Sequence, residues 1–219
     1  MVNKPTSPGA MPVTIPIFPL SGALLLPRGI LPLNIFEPRY IAMVEDALAR
    51  PDRLIGMIQP KSGSDSDPVP VFDIGCAGRI TAMDETDDGR YLITLTGISR
   101  FHVQTEVPCT RGYRTVQADW QGYATDFRPV EDVTLDRDRL GSALTGYFER
   151  NGIEADWQAI SETPDERLVT SLCMICPFEP TEKQALLECA DFGQRAELMT
   201  SLIEMAVLGG HAKDKGARH

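Results

Sequence analysis

The stretches Ile15-Pro16-Ile17-Phe18-Pro19-Leu20 and Leu31-Pro32-Leu33-Asn34-Ile35-Phe36-Glu37-Pro38-Arg39-Tyr40 decide how this chain folds. Both are short apolar runs punctuated by proline, a texture that reads as strands. The second runs directly into a helix start, because Pro38 suits a first helical position, where its missing N–H is no loss. Beyond it Tyr40/Ile41, Val44 and Ala47/Leu48 recur at helical spacing until Arg50-Pro51. That helix is expected to cap one open end of a sheet.

Working outward, apolar residues up to Trp120 come in short runs separated by Gly, Pro and Asp, which predicts a β-rich region. Residues 13–18, 31–36, 54–59, 69–72, 76–83, 91–97, 101–107 and 113–120 are the expected strands. Asp87-Asp88-Gly89 joins the fifth and sixth as a hairpin, since glycine supplies the positive φ of a tight turn. The polar, breaker-rich segment from Lys61 to Pro68 is expected to be a mobile surface loop.

After Gly122 the texture turns helical. Thr134 is expected to cap a helix carrying Leu140, Leu144 and Phe148, stopped by Gly152. A short helix with Trp157 and Ile160 follows. Thr163-Pro164-Asp165-Glu166 reads as a capping box opening a helix with Leu168, Leu172 and Ile175 on its apolar face. The next starts near Pro180 and carries Ala185, Leu186 and Cys189. The last starts at Asp191, with Gln194 placed to reach back, and presents Leu198, Leu202, Met205 and Leu208 before Gly209-Gly210 ends it. The expected fold class is α+β, with a β-rich subdomain over residues 13–122, a helical subdomain over 123–210, and flexible tails at 1–12 and 211–219.

With 219 residues, 42% hydrophobic and 24% charged, the chain can bury a core without staples and is not a disordered sequence. Its net charge of −10 repels phosphate backbones and anionic bilayers, so neither nucleic acid nor membrane is an expected partner. The 5 cysteines are scattered through a chain too large for a disulfide scaffold, which points to a reducing cytoplasm. No segment has the pattern of a signal peptide or approaches the roughly 20 apolar residues of a membrane span.

Three features follow one another in order: Gly75-Cys76-Ala77-Gly78-Arg79-Ile80, then Asp88-Gly89-Arg90-Tyr91-Leu92-Ile93, then Gly97-Ile98-Ser99-Arg100-Phe101. With the two opening stretches and Pro177-Phe178-Glu179-Pro180-Thr181-Glu182-Lys183-Gln184-Ala185-Leu186-Leu187-Glu188, they resemble the N-terminal, substrate-binding domain of the bacterial Lon protease. Glu179 departs from that family's usual serine cap, although its charge still suits a helix N-terminus. The resemblance implies a PUA-like β pseudo-barrel with one helix, packed on a C-terminal helical bundle. It also implies recognition of polypeptides rather than their cleavage.

A Walker A loop would need Gly-x-x-x-x-Gly-Lys-Ser/Thr, and the Gly141/Gly146 pair is followed instead by Tyr147-Phe148 inside an expected helix. Lys4, Lys61, Lys183, Lys213 and Lys215 stand in no apolar setting that would depress a pKa and make a base. With the sequence ending at His219, neither Lon's ATPase module nor its Ser–Lys protease domain is expected. No enzymatic activity and no cofactor are expected.

As a binding site, Phe36 and Tyr40 would line a hydrophobic groove rimmed by Glu37 and Arg39, although the same four residues also serve to start and tie down a helix. Trp120 and Trp157 flank the junction of the two halves and would line a cleft there, or simply fill it. Cys173 and Cys176 share a helical face, but a zinc site needs two further ligands that no second Cys-x-x-Cys or His pair supplies, so core thiols are expected. His102 reads as a sheet-surface residue. The acidic Asp84-Glu85 and Asp87-Asp88 read as a solvated turn, with no metal.

The expected function is a non-catalytic module that binds exposed apolar segments of unfolded or client polypeptides. One alternative is an adaptor or regulator of a separate ATP-dependent protease. Another is a small-molecule reader of the PUA or cereblon-like type, against which stands the absence of the cysteine pairs of cereblon's zinc-bearing ligand domain.

Overall fold

The computed structural model describes the backbone of residues 6–61, 63, 66–130 and 135–215, and side chains as far as Leu208. In chain order the elements are β1 (Thr14–Pro19), β2 (Ile30–Ile35), α1 (Pro38–Ala49), β3 (Leu54–Ile58), β4 (Ile74–Glu85), β5 (Tyr91–Val107), β6 (Arg114–Asp119), α2 (Arg137–Asn151), α3 (Trp157–Glu162), α4 (Asp165–Ile175), α5 (Pro180–Glu188) and α6 (Phe192–Lys215). Short 3-10 turns stand at Pro8–Ala10 and Gln121–Phe127.

The strands form one sheet in the order β2-β5-β4-β3-β1-β6, and β6 also pairs with β5. Five strands therefore close into a ring, and β2 hangs on its outside. Only β1 and β3 run parallel; the other neighbours are antiparallel. What closes the ring is the length of β5, 17 residues, whose first part pairs with β2 and β4 and whose last part pairs with β6. Residues 98–100, expected as a break between two strands, continue this one. Gly97 is there for close approach and not for a turn, since a methyl group on it would overlap the Leu26 carbonyl oxygen. Bulges at Ala77/Gly78, Ile80/Ala82 and Val103/Thr105 supply the bending. The expected strand at 69–72 contributes only a bridge between Pro60 and Val71. The hairpin turn is as expected, with Gly89 at φ 78° and Glu85 opposite Tyr91.

Alternate residues of the ring strands, among them Ile15, Ile17, Leu54, Ile58 and Val116, form with Trp120 just after β6 one buried cluster around Phe101. A Cβ added to Gly56 or Gly75 would lie 2.8 or 2.6 Å from the Phe101 ring, so both glycines exist to admit it. A second, larger cluster takes Phe18, Leu25, Ile35, Met43 and Leu95 from the β-rich half and Leu144, Val169, Leu172, Met199 and Ile203 from the helices. The two halves thus differ in texture but share a core. Met11 is buried with the Phe101 cluster and the Trp120 indole N–H donates to the Pro12 carbonyl at 2.8 Å, so these two residues belong to the fold although they were expected in a flexible tail.

Several helix details depart from expectation. Thr134 lies outside the described residues, as do 62, 64 and 65 of the loop between Lys61 and Pro68. The cap of α2 is Asp136, whose carboxylate accepts from the Arg139 N–H at 2.9 Å, and Gly152 ends the helix at φ 62°. Thr163 does not cap α4; its hydroxyl donates back to the Ala159 carbonyl and closes α3. Glu179 keeps its role through a reciprocal box with Glu182, whose carboxylate accepts from the Glu179 N–H at 2.8 Å. The buried stripe of α6 is Phe192, Ala196, Met199, Leu202 and Ile203, so Leu202 is buried as expected while Met205 and Leu208 are exposed, and the helix continues through Gly209-Gly210 to Lys215.

Candidate binding groove

Among the described strands β2 pairs only with β5, which leaves it a free side, and α4 meets the turn before it through Met174 and Glu166. Between them is a cavity of about 440 Å³ walled by Ile30, Leu31 and Pro32 on one side and Met174 and Ile175 on the other. Ile30 and Ile175 are 61% and 74% exposed. Ile175 was expected on the buried face of its helix; Leu168, Val169, Leu172 and Cys173 take that face, and Ile175 falls beyond its edge.

The turn before β2 builds the groove. Arg28 sits at φ 66°, a left-handed conformation that few side chains adopt, with its N–H donating to the Gly97 carbonyl at 2.9 Å. Gly29 donates to the Leu26 carbonyl at 2.9 Å, and the absence of a side chain lets the Met174 sulfur pack where a Cβ would stand. The Arg28 guanidinium pairs with Glu166 of α4 and donates from Nη1 to the Asp126 carbonyl at 2.8 Å. It therefore fixes the helix wall against the strand wall. Behind it, Lys183 donates from Nζ to the Gly22 carbonyl at 2.7 Å and, at 3.4 Å, to that of Met174. Contrary to expectation this lysine is 7% exposed, and burial lowers its pKa; its ammonium ties two segments together.

Backbone alternation defines what the free side offers. Because the Gly29 carbonyl accepts from the Gly97 N–H at 2.8 Å, Leu31, Leu33 and Ile35 face β5, and Ile30, Pro32 and Asn34 face away from it. Pro32 thus stands where its missing N–H breaks no ladder, and it deprives the free edge of a donor. A guest strand would find poor main-chain pairing here, so the side chains have to supply the attraction. Those of Ile30, Pro32 and Asn34 are exposed, and the same alternation leads to Phe36, which is 62% exposed. At about 3.3 Å per residue this strip runs roughly 20 Å from the cavity to the start of α1.

The structure separates the residues expected to form a site. Phe36 and Arg39 are exposed and Glu37 half-buried at the far end of the strip, with Arg39 paired to Glu37 at 2.8 Å and stacked 4.6 Å over the Tyr40 ring. Arg39 was expected to tie neighbouring elements, but its ion pair stays within its own helix start. Tyr40 is buried 4.2 Å from Phe18, and burial raises its pKa. Trp120 is 5% exposed and packs on Phe101, whereas Trp157 is 44% exposed and packs on Phe148 of α2. Trp120 belongs to the Phe101 cluster, Trp157 packs at the rim of the other one, and neither lines the cavity between β2 and α4. Cys173 and Cys176 are buried, with burial pushing their thiols up to about 12 and about 11. His102 lies exposed on β5. Sequence reasoning missed Arg28, Glu166 and Met174, because the only local sign was the left-handed turn at Arg28-Gly29.

Fold and groove together define an α+β domain that presents a partly apolar groove beside a proline-blunted edge strand. The model of the ATP-dependent protease La (LON) substrate-binding domain matches residues 14–205, and this chain belongs to that family. It is 25% identical over 88% of its length to Lon protease 2 of Myxococcus xanthus, and 30% identical over 89% to the Lon protease of Buchnera aphidicola. It spans 24% and 25% of those two proteins. Among solved structures, the Lon N-terminal domain protein from Xanthomonas campestris matches 86% of this chain and 97% of its own, at a TM-score of 0.58 and 23% identity. The N-terminal domain of the Mycobacterium avium complex Lon protease matches 87% and 97%, at 0.56 and 12%. Among the described residues no helix is long and apolar enough to cross a membrane.

Proposed function

We propose that this domain is a non-catalytic module that binds extended apolar segments of client polypeptides in the groove between β2 and α4. Family membership supports substrate binding, and the ring of strands packed on helices supports reading the fold as a PUA-like pseudo-barrel on a helical bundle. The observation that carries the reading is the cavity whose walls leave Ile30 and Ile175 open to solvent. Its volume is ordinary for a ligand site, and beyond it the exposed side chains of Pro32, Asn34 and Phe36 continue along β2 toward α1. Binding through side chains rather than a specified main-chain ladder suits a module that accepts many sequences. Whether such a module acts alone or hands clients to a separate ATP-dependent protease, the groove works in the same way.

The test is titration of an unfolded, labelled polypeptide and of its folded form. Saturable binding of the unfolded form alone is expected, weakened severalfold by Ile175→Asp with no change in melting temperature, since Ile175 supports no core. Equal affinity for both forms, or an Ile175→Asp variant that binds as well as wild type, overturns the reading.

A further inference from the structure

Resting on that reading of the groove, we infer that it selects apolar segments that carry an acidic side chain, which docks on Arg167. The wall presented by α4 is graded. Arg167, Thr170, Ser171 and Met174 recur at helical spacing and all face the cavity, so a cation gives way to two hydroxyls and then to sulfur and Ile175. The other two charges of the cavity, Arg28 and Glu166, neutralise each other in their ion pair. Arg167 is exposed and makes no hydrogen bond or ion pair with any described residue. Among the described residues the groove therefore carries one uncompensated positive charge, in a chain whose net charge is −10. Such a local reversal of sign attracts a carboxylate, and the hydroxyls of Thr170 and Ser171 can donate to one.

The carboxylate is a side chain's and not a chain terminus. Capture of a terminal carboxylate relies on a cradle of backbone N–H groups. Here the N–H groups of Arg28 and Gly29 are already spent on the carbonyls of Gly97 and Leu26. The strip that continues along β2 also favours a segment running on past the site.

Fluorescence anisotropy with three amidated, labelled ten-residue apolar peptides, identical except for a central Glu, Gln or Lys, tests this on the full chain. The Glu peptide is expected to bind two- to fivefold tighter than the Gln peptide at low ionic strength, as for one exposed ion pair, with the Lys peptide weaker still. The preference should shrink at 0.5 M salt, vanish in Arg167→Gln and reverse in Arg167→Glu. Saturable binding of all three with equal affinity overturns charge selection and leaves the groove reading standing, as does a preference that survives Arg167→Gln. Tighter binding of the Gln peptide with a free C-terminus than of the amidated Glu peptide assigns the site to a terminus and overturns the inference. No saturable binding of any peptide removes the groove reading itself.

Discussion

Arg100 and Asp126 form a buried, two-pronged ion pair: Nη2 donates to Oδ1 at 2.9 Å and Nε to Oδ2 at 3.0 Å, inside a site that also holds the Arg100 backbone N–H on Oδ2 at 2.9 Å. A third donor group, Nη1, reaches the Leu187 carbonyl at 3.2 Å, so one side chain of β5 binds the turn after β6 and the end of α5 together. Burial, and after it the charge of the nearby Arg100, lowers the pKa of Arg195, whose Nη2 has no hydrogen-bond partner among the described residues. Asp126 is therefore the carboxylate that holds the buried Arg100, and its charge also favours the cation of Arg195. Asp126→Ala is expected to cost about 3–5 kcal/mol, because it strands a buried charge. Urea unfolding measures this. Glu45→Ala, which removes one of the two carboxylates paired with the exposed Arg111, should cost less than about 1 kcal/mol, and a similar loss in both variants would contradict the assignment.

Gly97→Ala should unfold or severely weaken the protein. Its new methyl would overlap a main-chain oxygen, and neither β5 nor the Leu26 segment can retreat without breaking the bonds between Gly97, Arg28 and Gly29. A loss of about 1–3 kcal/mol or more is expected. Gly122→Ala meets open space and serves as the control. Thermal melts of the two variants, differing by less than a few degrees, would show that the approach at Gly97 can relax.

These two sites mark how far the sequence could be read. Turn chemistry and periodicity are local, so the hairpin at Gly89, the helix start at Pro38 and the left-handed stop at Gly152 were legible. Gly97 looked like punctuation between two strands, because nothing in a single sequence tells a glycine that turns the chain from one that lets another segment touch it. The groove was hidden for a similar reason. Arg28 and Glu166 meet across 138 positions, and no pattern within either segment announces the other. Helical spacing gave Ile175 a place on an apolar face, but which apolar residues a helix buries depends on where its neighbours stop, and α4 has none on that side. Trp120 and Trp157 were equally opaque, since a tryptophan's size predicts burial or contact without saying with what.

Arg28 offers a reversal of the usual order of substitutions. Its backbone is left-handed, which costs a residue with a Cβ roughly 1–2 kcal/mol, while its side chain returns an ion pair and carbonyl bonds. Arg28→Ala loses the return and keeps the cost. Arg28→Gly loses both, and should be the more stable of the two by roughly 1 kcal/mol, although glycine normally destabilises relative to alanine. Equal or inverted midpoints in urea would mean that the turn relaxes when the guanidinium lets go.

Alkaline pH should weaken the fold through Cys176 and Cys173. Burial holds these thiols up to about 11 and about 12, against about 8.5 for an unfolded cysteine. Between those limits the native state keeps protons that the unfolded state has lost, so stability is full below pH 8 and falls as pH rises, by up to about 1.4 kcal/mol per unit for each thiol. Urea midpoints from pH 8 to 10.5 should decline, and Cys176→Ala, although less stable throughout, should decline less steeply. An unchanged slope in that variant would assign the loss to other groups.

The two tryptophans give a direct readout of where a client sits. Trp120 is enclosed with Phe101 and bonded to Pro12, so its emission should be blue and resistant to acrylamide, whereas Trp157 is partly open on α3 and should carry most of the quenching. Trp157→Phe should therefore leave a protein whose emission is almost unquenchable and whose stability is nearly unchanged. Neither ring borders the cavity between β2 and α4. Saturating an unlabelled apolar peptide should consequently leave the spectrum and quenching of the wild-type protein as they were, even as Ile175→Asp shows that the peptide has bound. If the peptide protects Trp157, clients lie along the helical half, and the walls built from β2 and α4 would have to be given up as the place where they are held.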